Sequence, residues 1–267
     1  MLKYQIKNWL EQQDWYYQLR YSERYFYWQQ KLRPRLARAL ADEKHLYQEA
    51  LGLARPSLIF DIGASEGYTA KGLLQLTQQL VCVEPASKNV KALKARFNGQ
   101  DRVLILHQAI GAVPGKAKLH LANRGTTLHT LSETWKKTLE AGNALSNSVP
   151  TQFSQTEEVE VTTLDLLIQQ YGRPDFIKID VEGFELAVLK GLSQKVPLLS
   201  FEANLPIFQK ASLQCIDLLL ALDPKASFNY AYQERLEWPT FSSADQLKAL
   251  LQQGQINYLE IFCRMTT

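Results

Sequence analysis

The stretch LIFDIGASEGYTAKGLL, residues 58–74, decides the fold of this 267-residue chain. Its apolar start predicts a short strand over 57–60, its middle a tight turn, and its end a helix from about Gly67. Gly63 allows backbone dihedrals that a side chain forbids, and Gly67 allows a ligand or the next helix to come close. The helix directs free N–H groups at the turn, where Asp61 adds a carboxylate. This combination favours a ligand with an amine and ribose hydroxyls over a purely anionic one.

A second acid follows the next apolar run, residues 80–83. Glu84 lies about 20 residues after the turn, the spacing at which an acid can accept the hydroxyls of a ribose. Pro85 stiffens the exit from this strand, and Ser87 is a candidate cap for a helix over 87–97. The strict pattern Gly-x-Gly-x-x-Gly is absent. The turn by itself therefore leaves a purely structural connection open, and Glu84 by itself leaves a solvated strand end open.

The paired acids and the glycine turn resemble the class I S-adenosylmethionine-dependent methyltransferases, and further segments narrow the resemblance to the FkbM family. PDFIKIDVEGFELAVLKG at 174–191 resembles the signature segment of that family, which the turn DIGASEGYT also matches. EEVEVTTLDLL at 157–167 and LSFEAN at 199–204 fit the same family pattern. The resemblance covers about 57–204 and does not extend to the first fifty residues.

The resemblance implies S-adenosylmethionine as cofactor, with the glycine turn at its methionine end and Glu84 at its ribose. The adenine would lie after the strand predicted over 103–106, where His107 is a candidate for stacking or hydrogen bonding. The expected cofactor-binding residues are therefore Asp61, Gly63, Ala64, Ser65, Gly67, Glu84, Pro85, His107, Gln108, Ala109 and Asp180.

Two more carboxylates follow the predicted strands DFIKI and LLSF. Parallel sheets present catalytic groups at the carboxyl ends of their strands, so Asp180 and Glu202 are expected at the crevice as catalytic residues. Lys178 shares a face with Asp180 because side chains alternate along a strand. A carboxylate at this position can act as general base for a hydroxyl. Alternatively, the two acids and Asn204 would suit Mg²⁺, or the acids only cap helices; we assign no metal site.

From residue 55 onward strands and helices alternate. This pattern predicts an α/β fold with a doubly wound, mostly parallel sheet, and the resemblance implies the seven-stranded, Rossmann-like class I methyltransferase architecture. We assign this domain to residues 53–267. A polar insertion at about 111–157 interrupts the alternation, and it is interpreted as a lid or a disordered loop. Within it, an edge strand over 116–121 is expected to pair with 159–162.

Residues 1–52 are predicted to form a helical, aromatic-rich extension. Residues 1–50 hold seven of the chain's 12 Tyr, three of its five Trp, and nine Lys or Arg against six Asp or Glu. Aromatic and basic side chains together can bind nucleic acid, but the formal net charge of +3 is low for that class. The pattern favours an extension that packs on the domain or forms a homodimer, with a helix over 34–51 ending before Gly52.

The three cysteines, Cys82, Cys215 and Cys263, lie far apart, as expected of buried thiols in a reducing compartment. The chain contains no run of 18 apolar residues and no apolar segment typical of a signal peptide. We therefore expect a cytoplasmic protein without a membrane partner.

Together these observations predict an S-adenosylmethionine-dependent O-methyltransferase that acts on a hydroxyl of a small molecule or sugar. Two alternatives stay open. The first is an RNA methyltransferase recruited through the N-terminal extension. The second is a nucleoside-binding module without catalytic activity. The acceptor, the oligomeric state and the use of a divalent cation are not determined by the sequence.

Overall fold

A computed structural model describes residues 9–10, 13–52, 55–122, 128–142 and 151–266. Three helices come first: α1 (Asp14–Arg20), α2 (Glu23–Leu32) and α3 (Pro34–Leu51). The first alternating half contains β1 (Leu58–Ile62), α4 (Tyr68–Leu76), β2 (Gln79–Val83), α5 (Ser87–Arg96), β3 (Val103–Leu106), β4 (Ala109–Ile110), β5 (Gly115–Leu121) and α6 (Glu133–Glu140). The second half contains β6 (Gln155–Thr162), α7 (Leu164–Tyr171), β7 (Phe176–Ile179), α8 (Glu185–Lys190), β8 (Leu198–Asn204), α9 (Gln209–Leu222), β9 (Ser227–Tyr232), β10 (Arg235–Leu236), α10 (Ala244–Gln252) and β11 (Tyr258–Arg264).

Eight of these strands form one sheet in the order β10-β9-β11-β8-β7-β1-β2-β3. The strands from β8 to β3 run parallel to one another, whereas β11 is antiparallel to both β8 and β9. The predicted α/β fold with a doubly wound, mostly parallel sheet is confirmed. The sheet has eight strands instead of seven, because the two-residue strand β10 turns back onto β9 at the edge.

Helices cover both faces of this sheet. Helices α3, α4 and α5 contribute to one apolar cluster, and α7, α8, α9 and α10 contribute to the other. Along β1, Phe60 and Ile62 belong to one cluster and Ile59 to the other, as the two-residue period of a strand requires. All five residues of β1 are buried, which is typical of a parallel strand covered on both faces. The carboxyl ends of the central strands are therefore held in a rigid frame.

The predicted helical extension packs on this frame. Helix α3 has the predicted bounds, begins at Pro34 and is followed by Gly52, whose φ is 73°. Its Tyr47 is buried, with its ring centroid 5.6 Å from that of Phe176 in β7. In α1, Tyr17 joins a small buried cluster with alanines of α5. These contacts agree with the packing interpretation of residues 1–52, and the boundary between 52 and 53 stays a prediction.

Part of the predicted insertion forms a second, three-stranded sheet in the order β4-β6-β5. Strands β5 and β6 are antiparallel, with Ala117 opposite Val159, so the expected pairing of the two segments is confirmed. Helix α6 follows and buries Trp135. Residues 123–127 and 143–150 of the insertion lie outside the described part, and its interpretation as a lid or a disordered loop stays a prediction.

The capping role predicted for Ser87 is wrong. Helix α5 begins at Ser87 itself, with Ala86 at the N-cap and no side-chain cap. Ser87 instead donates its N–H to Glu157 Oε2 at 3.2 Å, so an acid from β6 meets the positive end of this helix. In the described ranges, no helix is long and apolar enough to cross a bilayer.

Candidate active site

A cavity lies where β1, β2 and β7 end at their carboxyl sides. It holds about 610 Å³ of empty space, part of which is open to solvent. Seven of the predicted site residues line it, namely Gly63, Ser65, Glu84, Pro85, Gln108, Ala109 and Asp180. The other lining residues are Ile62, Val83, Ile110, Leu119, His129, Thr130, Leu131, Val181, Glu182 and Phe184. The sequence therefore located one wall of the cavity, while His129, Thr130 and Leu131 come from the insertion.

Gly63 brings the two central strand ends together. Its φ of 84° lies in the left-handed region, and a Cβ atom there would lie 1.7 Å from the Asp180 carbonyl oxygen. Its N–H and that of Ala64 both donate to the Val83 carbonyl, at 2.9 and 3.1 Å. Because no side chain fits between the strands, only glycine allows this approach.

Asp61 lies behind the cavity wall and does not line the cavity. It is 0% exposed, and neither of its carboxylate oxygens has a hydrogen-bond partner. Burial raises its pKa to about 6, although the positive charge of Lys178 opposes the shift. Lys178 is its partner across β1 and β7, with Nζ 4.0 Å from Asp61 Oδ1. In this structure Asp61 therefore acts on the cavity only indirectly, through its electrostatic interaction with Lys178.

Lys178 joins Asp61 to Asp180. It is 4% exposed, and its Nζ lies 2.9 Å from Asp180 Oδ2. Although burial opposes the charged form, the carboxylates of Asp180 and Asp61 raise the pKa of Lys178 well above its usual value. The alternation predicted along β7 therefore places Lys178 and Asp180 in contact, and the ammonium group holds one oxygen of the cavity-lining carboxylate.

Glu84 is held by N–H groups instead of a cation. Its Oε2 accepts from Ser65 N–H at 2.8 Å, and its Oε1 accepts from Ala86 N–H at 2.9 Å and from Asn89 Nδ2 at 3.2 Å. Burial raises its pKa to about 7 against these hydrogen bonds. A carboxylate offers about four lone-pair positions, so one position on Oε2 is left for a ligand.

Three other predicted cofactor residues do not line the cavity. Ala64 is buried in the apolar cluster that contains α3 and α4. Gly67 makes room for α5, because a Cβ atom there would lie 2.7 Å from Leu93 Cδ2. His107 turns outward, with its Nε2 3.0 Å from the Pro85 carbonyl oxygen.

Glu202 lies inside β8 and is not a lining residue either. The Tyr258 hydroxyl donates to its Oε1 at 2.6 Å. Burial and the neighbouring Asp180 raise the pKa of Glu202 well above its usual value. Across the described ranges, no group of three or more His, Cys, Asp or Glu side chains is placed to hold a metal ion.

Sequence reasoning did not select Glu182, which lines the cavity beside Asp180. Its φ of 53° is left-handed, which is uncommon for a residue other than glycine. Two insertion residues hold it: Trp135 Nε1 donates to its Oε2 at 2.9 Å, and the Thr130 hydroxyl donates to its carbonyl at 2.7 Å. Burial, reinforced by Asp180, raises its pKa to about 8. The only sequence feature that could have indicated a role for Glu182 was its position within the segment IDVEG.

Apart from His129, the described ionisable side chains that line the cavity are carboxyl groups: Glu84, Asp180 and Glu182. Because burial raises the pKa of Glu84 to about 7 and that of Glu182 to about 8, these two are only partly ionised at neutral pH. Among the described residues that line the cavity there is no Lys or Arg. His129 adds no positive charge at neutral pH, because burial lowers its pKa to about 4. The cavity therefore favours a ligand that carries positive charge.

One family model and several solved structures are similar to this chain. The family model described as the methyltransferase FkbM domain matches residues 61–232. No curated protein matches the chain. Among solved structures, the chain is similar to the methyltransferase FkbM from Methylobacillus flagellatus KT, with 19% identity and a TM-score of 0.47 over 79% of this chain. It spans 45% of the length of that protein.

Two further solved structures are similar. The plantazolicin methyltransferase BpumL, determined with a monoazolic desmethylPZN analogue and SAH, has 12% identity and a TM-score of 0.40, over 89% of this chain and 87% of that one. A precorrin-6y C5,15-methyltransferase from Geobacter metallireducens GS-15 has 10% identity and a TM-score of 0.41, over 84% of this chain and 88% of that one.

Proposed function

This chain belongs to the FkbM methyltransferase family, and from that premise we propose that it transfers the methyl group of S-adenosylmethionine to a hydroxyl oxygen of a small molecule or sugar. The observation that carries the proposal is the set of three carboxyl groups that line the cavity, Glu84, Asp180 and Glu182, with no Lys or Arg among the lining residues that the structure describes. A sulfonium donor is a cation, and this lining attracts cations and disfavours phosphate-bearing ligands.

The donor side of the cavity fits the polar groups of S-adenosylmethionine. The free lone-pair position of Glu84 suits one ribose hydroxyl, and the buried Ser65 hydroxyl has no hydrogen-bond partner of its own. Gln108 and Ala109 line the adjoining wall, where we assign the adenine. The turn at Gly63 leaves the methionine end close to Asp180. We assign these residues to the donor on the basis of this fit.

Asp180 is the residue that we assign to the acceptor. When bound, the cofactor supplies a methyl group activated by its sulfonium. The acceptor hydroxyl becomes acidic as the new carbon–oxygen bond forms, so a carboxylate within hydrogen-bond reach takes its proton. Lys178 holds Oδ2 of Asp180, which leaves Oδ1 for that proton. General-base assistance of this kind contributes a factor of about 10² to 10⁴ in rate.

Glu202 is a weaker candidate for the same task. Its Oε1 already accepts from the Tyr258 hydroxyl, and it does not line the cavity. We therefore give it the supporting role of a neighbour of Asp180. The alternative role for these acids is to bind a divalent cation, in which case activity would depend on that cation.

The test combines binding and turnover. Calorimetry with S-adenosylhomocysteine measures donor-side affinity, and transfer of a labelled methyl group to a panel of sugars and other hydroxyl compounds measures activity. Asp180→Asn keeps the shape and removes the charge, so kcat should fall at least about 100-fold with nearly unchanged affinity for S-adenosylhomocysteine. If the folded variant loses that affinity instead, Asp180 belongs to the donor shell and the assignment is wrong.

The alternatives give other results in the same assays. Activity that disappears with a chelator and returns with Mg²⁺ would support metal assistance. Binding of S-adenosylhomocysteine without turnover across the panel would favour a nucleoside-binding module. Salt-sensitive binding and methylation of RNA would favour the RNA methyltransferase.

A further inference from the structure

Helix α2 carries apolar side chains on both of its sides. Its inner side packs on the enzyme: Phe26 lies 6.1 Å from Tyr68 between ring centroids, and Gln29 accepts a hydrogen bond from the Tyr68 hydroxyl at 3.2 Å. Its opposite side, which we call the outer face, consists of Arg24, Tyr27, Trp28, Lys31 and Leu32, all of them exposed. The exposed fractions are 56% for Tyr27, 60% for Trp28 and 76% for Leu32.

Large exposed apolar side chains are concentrated in this part of the chain. The described residues include eleven of them, and six lie within residues 9–32: Trp9, Trp15, Leu19, Tyr27, Trp28 and Leu32. Helix α1 repeats the pattern of α2, because Trp15 and Leu19 lie four residues apart on one side of it. Clustered exposed aromatic residues mark an interaction surface, whereas single exposed apolar residues are ordinary.

Positive charge accompanies the apolar residues. Arg24 and Lys31 belong to the outer face, and the exposed residues Arg33, Arg35 and Arg38 follow it closely along the chain. The acidic residue at the start of the helix, Glu23, is paired with Lys71 of α4 and lies beside the outer face. None of the five basic residues forms a salt bridge with a carboxylate in the described ranges.

We propose that the outer face of α2 binds peripherally to the surface of an anionic phospholipid bilayer. Trp and Tyr rings prefer the boundary between headgroups and acyl chains, and Leu32 can enter the apolar side of that boundary. Lys and Arg side chains flanking such residues are attracted to anionic headgroups. This proposal revises the sequence-based expectation of no membrane partner, and it does not depend on the proposed methyl transfer.

Two other occupants fit the outer face less well. Single-stranded nucleic acid stacks its bases on aromatic rings, but Leu32, the most exposed of these residues, has no ring. A second copy related by a two-fold axis would bring the same patch against itself. The basic residues Arg24 and Lys31 would then lie against the same basic face of the copy, and like charges in contact repel.

The experiment is co-sedimentation with vesicles of phosphatidylglycerol and phosphatidylcholine in equal parts, compared with phosphatidylcholine alone. We expect binding to the anionic vesicles, a blue shift of tryptophan fluorescence, and weaker binding as salt is raised. The double variant Trp28→Ser/Leu32→Ser should reduce the bound fraction at least about tenfold. Arg24→Gln/Lys31→Gln should reduce the preference for phosphatidylglycerol, since three of the five basic residues remain.

Val113→Ser is the matched control, because Val113 is 71% exposed and lies outside the outer face. It should leave binding unchanged, and thermal unfolding should show that all variants fold. Equal binding to both vesicle types, or none to either, overturns the proposal. Two other results would also overturn it, each in a protein that does not bind vesicles. In the first, the Trp28 and Leu32 substitutions abolish binding to a uridine oligonucleotide. In the second, they dissociate a dimer.

Discussion

Strands β2 and β7 flank β1 on opposite sides, and a carboxylate stands at the carboxyl end of each, but the two acids are held in different ways. Glu84 accepts three hydrogen bonds from N–H groups and forms no salt bridge with any residue that the structure describes. Asp180 is paired with the buried Lys178, which is itself backed by Asp61. One wall of the cavity thus depends on backbone geometry, and the other depends on balanced buried charge.

This difference indicates two kinds of sensitivity. A carboxylate surrounded by N–H donors has few free lone pairs and is fixed in place, which suits recognition of a constant group. A carboxylate paired with a cation through one oxygen keeps the other oxygen free, which suits proton transfer. We call the side of the cavity at Glu84 the N-H-held wall and the side at Asp180 the charge-held wall. Ligand binding at the N-H-held wall should be sensitive to changes in shape, and the stability of the charge-held wall should be sensitive to loss of its cation.

The largest expected effect comes from a change that separates the two walls. Gly63→Ala places a Cβ atom 1.7 Å from the Asp180 carbonyl oxygen, so β1 and β7 must move apart. We expect the free energy of unfolding to fall by more than about 4 kcal/mol. Gly99→Ala is the matched control, since Gly99 also has a positive φ, 76°, but nothing lies within 4 Å of its added Cβ.

The control should cost only about 1 kcal/mol, the strain of the left-handed backbone. Urea denaturation of both variants measures the difference. Equal losses for Gly63→Ala and Gly99→Ala would show that the contact between the turn and Asp180 is not tight.

The next effect concerns the charge-held wall alone. Lys178→Met leaves Asp61 buried without a cation, and we expect a loss of about 3 kcal/mol in the free energy of unfolding. Asp61→Asn in the same protein should restore part of that loss, because it removes the unpaired charge. The pKa of Asp61 is about 6 with Lys178 present, and it rises further in Lys178→Met because the positive charge that lowers it is gone. Unfolding should therefore be measured over a range of pH, and the loss should grow as the pH rises. If the changes in the free energy of unfolding caused by Lys178→Met and Asp61→Asn simply add in the double variant, the two residues are not coupled.

A smaller effect is expected at the N-H-held wall. Glu84→Gln should weaken the binding of S-adenosylhomocysteine at least about tenfold, which corresponds to about 1.4 kcal/mol. The substitution also places an amide NH₂ group where a carboxylate oxygen accepted a backbone N–H, and two donors cannot form a hydrogen bond. The stability of the variant must therefore be measured by unfolding alongside the calorimetry. Asp180→Asn serves as the comparison, since it should leave this affinity nearly intact. Unchanged affinity in a folded Glu84→Gln protein would contradict the ribose assignment.

The smallest effect is a pH dependence carried by the same residue. With a pKa raised to about 7 by burial, Glu84 is mostly protonated at pH 6 and ionised at pH 8. The ionised form accepts more strongly from a ribose hydroxyl through the free position of Oε2, so the affinity for S-adenosylhomocysteine should rise by up to about tenfold over this range. Glu84→Gln should flatten the profile, and a wild-type affinity independent of pH would speak against the assignment.

Stability should move in the opposite direction. The folded-state pKa of Glu84 lies above its usual value of 4.5, so the folded state binds the proton more tightly. This contribution is fully present below about pH 4.5 and is lost as the pH rises through about 7. Urea denaturation at pH 5 and pH 8 therefore provides an independent check on the same carboxyl group.

The N-H-held wall could be predicted from the sequence because its determinants are local. A strand, a turn with Gly63 and an acid at the next strand end lie close together along the chain, and their roles follow from backbone geometry. Asp61 was harder to place. Strand β1 extends to Ile62, beyond the predicted end, so Asp61 is an interior strand residue that faces Lys178 on the neighbouring strand.

The remaining features depend on contacts between distant parts of the chain. Glu182 takes its position from Trp135 and Thr130, about 50 residues earlier, and no spacing rule connects these segments. The family resemblance implied the adenine position after β3 and made His107 a candidate contact, but the ring of His107 lies outside the cavity, with Nε2 3.0 Å from the Pro85 carbonyl oxygen. Such pairings become visible only when the insertion and the sheet are seen together.

The order of strands in the sheet also has a consequence for synthesis on the ribosome. Strand β11 lies between β8 and β9, although it follows both of them in the chain. Until residues 258–264 leave the exit tunnel, one edge of β8 and one of β9 lack their neighbour, and unpaired edges are prone to join other chains. During synthesis the exposed edges of β8 and β9 must therefore be kept from aggregating until β11 is available to pair with both.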